Sequence, residues 1–468
     1  MNVRRVGVVL GLAVASSVEL AAVAQGAPTT ASQEPSDYAG SVVPYSAEIS
    51  AAPPPTKVLG SWKEAITMAS AEDPDYSAAL FEVDRLQGVR RQSLGAALPS
   101  LTASGSLNLA LIQTEVPGIS PTGDIITQTI PQSPTASLNF ILRQPLLAPR
   151  VWWAIGTADE QIEAAEFSLE NRQRILVAQV ADAIVSEVTA EKIADVNRNQ
   201  LSASLERLRL QKRRRELGAG TDLDLLRFEQ DVVAARLSVV RGDESLNQAR
   251  ERLGLAIGTT ERYAVAPDVS IDEIQGTLER ICTAGDVVDR ADLKLLAKQK
   301  AIAERALTDA DLLYAPTADL SSTVTLSSQE ILGSGHATWN VQALLTIPIW
   351  DGGVRYGVHR AAEAAVSQVD ARLDATQRTA TIEVRQAERG MRVAEESMKL
   401  AQATRDLAKR TVELTQQAFD EGAPGITSFE LVDSARVLRE TELTLAVREL
   451  EYVRAKITAL VAARNCTY

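Results

Sequence analysis

Residues 143–154, RQPLLAPRVWWA, and residues 346–357, TIPIWDGGVRYG, hold the same place in two successive passages of one pattern, with Pro145 and Pro348 offset by 203. Upstream, AALPSL at Pro99 corresponds to YAPTADL at Pro316; downstream, ELGAGTDLDLL at 216–226 corresponds to EGAPGITSFELV at 421–432. Each passage reads helix, strand, strand, very long helix, tight turn, helix. A period this long is a duplicated domain rather than a short-repeat solenoid. The expected segments are a first repeat over 57–258, a linker over 259–285, a second repeat over 286–463 and a tail over 464–468.

Aromatic residues make up only 4% of the 468, so the halves interlock through long helices and small side chains rather than around a thick globular core. Between Val151 and Arg215 there is no Pro, and Gly156 is the only Gly. At 1.5 Å per residue that stretch spans ~95 Å as one helix. In the second passage Val384, Ala387, Met391, Ala394, Met398 and Ala401 step by three and four, a coiled-coil seam. Leu400, Leu407 and Leu414 step by seven on another face. Two offset seams let a helix pack on neighbours at both sides, as in a closed ring; a plain bundle core is the alternative on periodicity alone.

The start, MNVRRVGVVLGLAVASSVELAAVAQG, reads as a secretory signal over 1–24: two Arg, a short apolar run and Ala22-Val23-Ala24 as the cleavage site. Its loss takes the formal charge from −13 to −14. An acidic exported chain is a poor partner for nucleic acid. Residues 25–56, ending Pro53-Pro54-Pro55, lack apolar periodicity and are expected to be a disordered or surface-wrapping arm.

Leu101, Ala103, Gly105, Leu107, Leu109 and Leu111 alternate with polar residues, as do Ala136, Leu138, Phe140 and Leu142. In the second passage Leu320, Ser322, Val324 and Leu326 are followed by Trp339, Val341, Ala343, Leu345 and Ile347. Segments of about 9 to 11 residues with one apolar face suit transmembrane β-strands. No long apolar run exists beyond the signal, so a membrane crossing requires a closed barrel. Four strands cannot close one, since the smallest have about eight, so other copies of the chain must complete it. Trp152, Trp153, Trp339 and Trp350 lie near strand ends, where an interfacial aromatic belt sits.

Two His, no nucleophile elbow, no phosphate loop and no His/Cys cluster leave no case for an enzyme, a metal or a cofactor. An exported chain can bond Cys282 to Cys466 or leave both free.

The order of elements, the Pro145 and Pro348 strand ends, the IPIWDGG junction with Gly352 and Gly353, and the Gly-bearing helix turns resemble the TolC-like outer-membrane efflux family across nearly all of the exported chain. The resemblance implies a mainly α fold with a small transmembrane β part. Three copies would build a twelve-stranded outer-membrane barrel, continued by a long periplasmic α-barrel. It implies the exit duct of a tripartite efflux or type I secretion machine in a Gram-negative cell. The implied partners are outer-membrane lipid, a periplasmic adaptor (membrane fusion) protein and an inner-membrane RND, ABC or MFS transporter.

The same resemblance puts Gly218, Gly220, Thr221, Gly422, Pro424, Gly425 and Ile426 at the periplasmic tip, as turn and adaptor-docking residues. It sets Glu430 and Asp433, with Asp224 as their first-repeat counterpart, in acidic rings at the entrance, and both cysteines near the equator of the helical barrel. The basic run Lys212–Arg215 complements a helix C-terminus or pairs with acids of the other turn. A periplasmic coiled-coil scaffold without a channel is the competing reading. Such a scaffold has no reason to keep one face of all four strands apolar.

Overall fold

The computed structural model describes residues 51–468 apart from 110–114, 120–124, 130–133, 219, 268, 270, 284–286, 329–335, 422–427, 464 and 467–468. The signal segment, most of the arm, and Gly422, Pro424, Gly425 and Ile426 lie outside the described residues.

In chain order the elements are β1 (Lys57–Leu59), α1 (Trp62–Glu72), α2 (Pro74–Ala97), β2 (Ser100–Asn108), β3 (Glu115–Ile119), β4 (Ile125–Thr129), β5 (Thr135–Leu147), α3 (Pro149–Glu216) and α4 (Asp222–Ala256). There follow β6 (Tyr263–Val265), α5 (Ile271–Ile281), β7 (Cys282–Thr283), α6 (Ala291–Asp311), β8 (Thr317–Ser327), β9 (Ala337–Thr346), α7 (Val354–Asp420), α8 (Ser428–Ala463) and β10 (Asn465–Cys466). Helices α3 and α7 run 68 and 67 residues, each about 100 Å at 1.5 Å per residue.

The duplication carries through to packing. At an offset near 204, buried positions of α3 recur as buried positions of α7: Leu176 with Ala380, and Ser204 with Ala408. The seam from Val384 to Ala401 is half-buried and lies along α8, whereas Leu400, Leu407 and Leu414 face outward.

The four long strands form one antiparallel sheet in the order β2-β5-β8-β9. Its register aligns side chains into cross-strand rows. Ala103, Phe140, Val324 and Trp339 form one row, and Gly105, Leu138, Leu326 and Ala337 the next. Alternating with them, on the opposite face, run Thr102, Ile141, Thr323 and Asn340, then Ser104, Asn139, Thr325 and Thr338. Alternation in each strand thus becomes one apolar and one polar face of the sheet. The polar face bonds internally, Ser106 Oγ to Ser137 Oγ at 2.8 Å and Thr325 Oγ1 to Asn139 Oδ1 at 2.7 Å. Pro145 lies within β5, where the register against β8 shifts between it and Leu147. A residue without an N–H is tolerated at such an irregularity.

Three features go beyond the sequence expectation. Residues 51–56 take the surface-wrapping form of the arm: the Pro53 carbonyl accepts from Arg250 Nη1 at 2.5 Å, and Thr56 N donates to the Arg262 carbonyl at 2.9 Å. Beyond it β1 pairs in parallel with β6, a contact across two hundred residues that three-residue strands could not announce. In the tail, β10 pairs with β7 and sets Cys466 opposite Cys282. Cys282 is disulfide-bonded, and the sequence holds two cysteines. The short hairpin β3–β4 between the first two long strands was also unannounced.

The largest core cluster gathers here, from Leu59, Trp62, Val177, Ile184, Leu253, Ile274 and Leu278. Two buried arginines organise its polar side. Arg250 reaches Glu187 at 3.0 Å, whose other oxygen accepts from Val265 N. Arg290 holds Asp292 at 2.7 Å, Glu383 of α7 at 3.0 Å and the Ala462 carbonyl at the end of α8.

Candidate functional site: helix turns and open edges

The turn between α3 and α4 is built by backbone requirements. Gly218 has φ +75°, and its N–H donates to the Arg215 carbonyl while Leu217 N donates to Arg213, closing the C-terminus of α3. At Gly220 a Cβ would stand 3.1 Å from Arg215 N and 3.3 Å from its Cα, so a larger residue would push the returning chain away by a few tenths of an ångström. Thr221 caps α4 by accepting from Asp224 N at 3.1 Å, and its hydroxyl donates to the Asp224 carboxylate at 2.6 Å. The cap is thus a Thr N-cap whose hydroxyl is held in place by the Asp224 carboxylate.

Asp224 is therefore committed to its own turn, with Arg227 3.8 Å away. Asp433 accepts from Arg436 Nε at 3.0 Å, and Arg436 also reaches Glu440 at 2.8 Å. Glu430 is exposed in the first turn of α8. Among the described residues the tip basic run pairs within its own hairpin, not with the other turn: Arg215 with Asp222 at 2.6 Å and Lys212 with Glu229 at 4.0 Å.

Beside Asp433, α3 and α8 enclose a cavity of about 380 Å³ lined by Val196, Ala203, Arg207, Val432, Arg436 and Arg439, among others. Arg207 Nε is buried there without a hydrogen-bond partner. This polar joint went unnoticed in the sequence, because its arginines look like a solvated helix face.

At the other end, the strand-to-helix junction explains IPIWDGG. Gly352 and Gly353 have φ +70° and +92°. Asp351 accepts from Gly353 N and Arg355 N, both at 3.0 Å, and pairs with Arg355 Nε at 2.8 Å. The Arg355 guanidinium lies over Tyr314, 4.5 Å from the ring centre. In the first repeat the joint is different: Arg305 stacks on Trp153 at 3.9 Å, and Trp153 Nε1 donates to the Arg305 carbonyl at 2.9 Å. Trp153 thus belongs to the α3–α6 joint instead of an outward belt. Trp152, Trp339 and Trp350 are exposed.

Each tier of the fold is a row with two open edges. The sheet ends in β2 and β9; next to it the helices pack in the order α2-α3-α6-α7; towards the turns the order is α4-α3-α8-α7. One edge is contributed by the first repeat and the other by the second. On the turn-proximal edges both outer helices bear apolar stripes with a seven-residue step. On α4 they are Leu226, Val233 and Val240, exposed by 57%, 48% and 66%; on α7 they are Val393, Leu400, Leu407 and Leu414, exposed by 64–68%. At 100° per residue each stripe lies about 140° around its helix from the seam already buried. The α4 stripe was legible as a seven-residue spacing, and the sequence reading passed over it.

Among the described residues no helix is long and apolar enough to cross a membrane, and no group of three or more His, Cys, Asp or Glu could hold a metal ion.

Residues 65–259 and 292–462 each match the family model described as outer membrane efflux protein, one match per repeat. Over 244 residues the chain is 28% identical to outer membrane protein OprJ of Pseudomonas aeruginosa, which is 51% of either chain, so the match spans about half the length of that relative. In fold it is similar to the CmeC outer membrane channel of Campylobacter jejuni, with a TM-score of 0.68 at 13% identity over 86% of this chain and 84% of that one. It is also similar to the open state of the MtrE outer membrane channel of Neisseria gonorrhoeae, with a TM-score of 0.64 at 17% identity over 86% and 87%. With both repeats matched and the channel fold in place, this chain belongs to the outer membrane efflux protein family.

Proposed function

We propose that three copies of this chain close into a ring and form the outer-membrane exit duct of an efflux machine. The observation that carries this reading is the pair of open edges. A row that ends in β2, α2 and α4 on one side and in β9 and α7 on the other, with apolar stripes left bare on both outer helices, is an arc awaiting its neighbours. Because the two edges differ, the contact is head-to-tail and closes by rotation.

Closure joins β9 of one copy to β2 of the next and removes the sheet edges. Three copies supply about twelve strands, enough for a barrel wide enough to conduct. The apolar face then meets lipid, with Trp152, Trp339 and Trp350 at its borders, and the polar face lines the pore. The helices continue the conduit through the periplasm to the two turns. There Gly218, Gly220 and Thr221, with Gly422, Pro424, Gly425 and Ile426, form the surface that docks a periplasmic adaptor protein. Glu430 and Asp433 face the entrance as rings that favour cations. An inner-membrane RND, ABC or MFS transporter loads the duct, for efflux or for type I secretion.

The test is electron microscopy and single-channel recording on one detergent-extracted preparation. A three-fold particle with helices of ~100 Å and discrete conductance is the expected result. A water-soluble particle without conductance would instead favour a coiled-coil scaffold.

A further inference from the structure

Resting on the closed-ring reading, we infer that adjacent copies are joined by a dry three-rung seam: Leu226, Val233 and Val240 of α4 in one copy meet Leu407, Leu400 and Val393 of α7 in the next. The register comes from the internal repeat. Within one chain, α3 packs on α8; around a closed ring, α7 packs on the neighbouring α4. Since α7 is the repeat of α3 and α8 the repeat of α4, the contact inside the chain is the template for the contact between copies.

The template's register is fixed by bonds. Arg454 of α8 reaches Asp182 of α3 through two bonds of 2.6 and 3.0 Å, and the Val461 carbonyl accepts from Arg174 of α3. Nearer the turn, Val196 and Ala203 of α3 line one cavity with Val432 and Arg439 of α8. Carrying α3 to α7 by the offset near 204 sends Val196 and Ala203 onto Leu400 and Leu407. The turn residues Asp224 and Glu430 correspond at an offset of 206, which returns Val432 and Arg439 to Leu226 and Val233. The two stripes that the protomer leaves bare are therefore the repeat images of the two stripes that face each other inside it. Antiparallel packing then sets Val233 against Leu400, one rung further from the turn than Leu226 against Leu407.

The images differ in chemistry. Inside the chain the rungs are Val196, Ala203, Val432 and Arg439, and Arg207, Asp433 and Arg436 stand beside them around a cavity. Between copies Arg439 is replaced by Val233, so all the rungs are Leu and Val, while the images of the flanking groups, Thr411, Arg227 and Gln230, keep a polar margin. Burying such residues removes the apolar surface that an isolated copy leaves in water, so a second copy is the occupant that this stripe fits.

The experiment is cysteine cross-linking of the full chain in outer membranes, with particle symmetry measured in parallel. Val233→Cys with Leu400→Cys is expected to give dimer and trimer bands on non-reducing gels, whereas Val233→Cys with Leu407→Cys, one heptad out of register, gives none. Where the first pair fails to reach the membrane, Leu226→Cys with Leu407→Cys reports on the next rung. Bands from the out-of-register pair alone would overturn the register. No bands from any pair in a three-fold particle would overturn the seam and leave the ring standing. A particle without closed symmetry would remove both.

Discussion

Glu187 and Arg250 meet at 3.0 Å with 0% and 4% of their side chains exposed, and they join α3, α4, β6 and the segment before β1 in a single contact. Burial pushes the Glu187 carboxyl above the ordinary carboxylate range, against the pull of the Arg250 guanidinium. Removing one partner strands the other charge, at about 3–5 kcal/mol. Glu187→Leu and Arg250→Met are each expected to lower the thermal midpoint in detergent sharply, while the double variant recovers part of the loss. A double variant as unstable as the sum of the singles would mean that the pair is not coupled.

Glycines at 254 and 276 predict opposite outcomes. A Cβ on Gly254 would stand 1.9 Å from the Glu261 carbonyl oxygen, a backbone atom that cannot swing away, whereas Gly276 in α5 has open space around it. Gly254→Ala should prevent accumulation of folded protein in the membrane. Gly276→Ala should stabilise by up to about 1 kcal/mol, as alanine does in a helix interior. Equal yields and melting points for the two variants would contradict the packing described.

Asp292 gives a pH dependence with a definite sign. Burial raises its pKa, but the Arg290 hydrogen bond and charge outweigh that and hold it below the ordinary carboxylate value. A depressed carboxylate stabilises the fold above its unfolded pKa of about 3.9, and that contribution is lost as pH falls through the lower folded value. The stability difference between the parent and Asp292→Asn should therefore be full at pH 6 and shrink towards pH 3, read from thermal midpoints in detergent. A difference that stays constant with pH would show that the carboxylate's charge plays no part.

At the proposed entrance, Glu430→Gln with Asp433→Asn should weaken cation selectivity and block by divalent cations without disturbing assembly, because Arg436 keeps Glu440 as a partner. Reversal potentials and block in planar bilayers provide the reading. Unchanged values would remove these carboxylates from the conduction path.

The two cysteines should resist a maleimide in denatured, unreduced protein and react fully after reduction, as Cys282 is bonded and only one other cysteine exists. Labelling before reduction would refute the bridge.

The sequence disclosed whatever depends on repetition. Alternation over nine to thirteen residues specified four strands and their apolar face, and steps of three and four identified the α7 seam. It did not disclose single contacts between distant short segments: the three-residue pairing of β1 with β6 has no period to detect. Nor did it disclose Arg250 or Arg290, since a buried arginine and a solvated one occupy similar positions in a helical pattern. Trp153 misled for a related reason. Its place beside Trp152 suggested a belt, but its neighbour in space is Arg305, 152 residues away.

In the proposed barrel the polar face of the sheet has a consequence for traffic. Its central rows are Ser, Thr, Asn and Gln, relieved by Ile141 and, at one margin, by Arg143 with Asp319 3.6 Å away. Hydroxyls and amides exchange partners with water at little net gain, so a wall made of them wets readily and retains no solute for long. Residence time along that stretch would depend on width alone, and discrimination between cargoes would have to be made before a molecule arrives there.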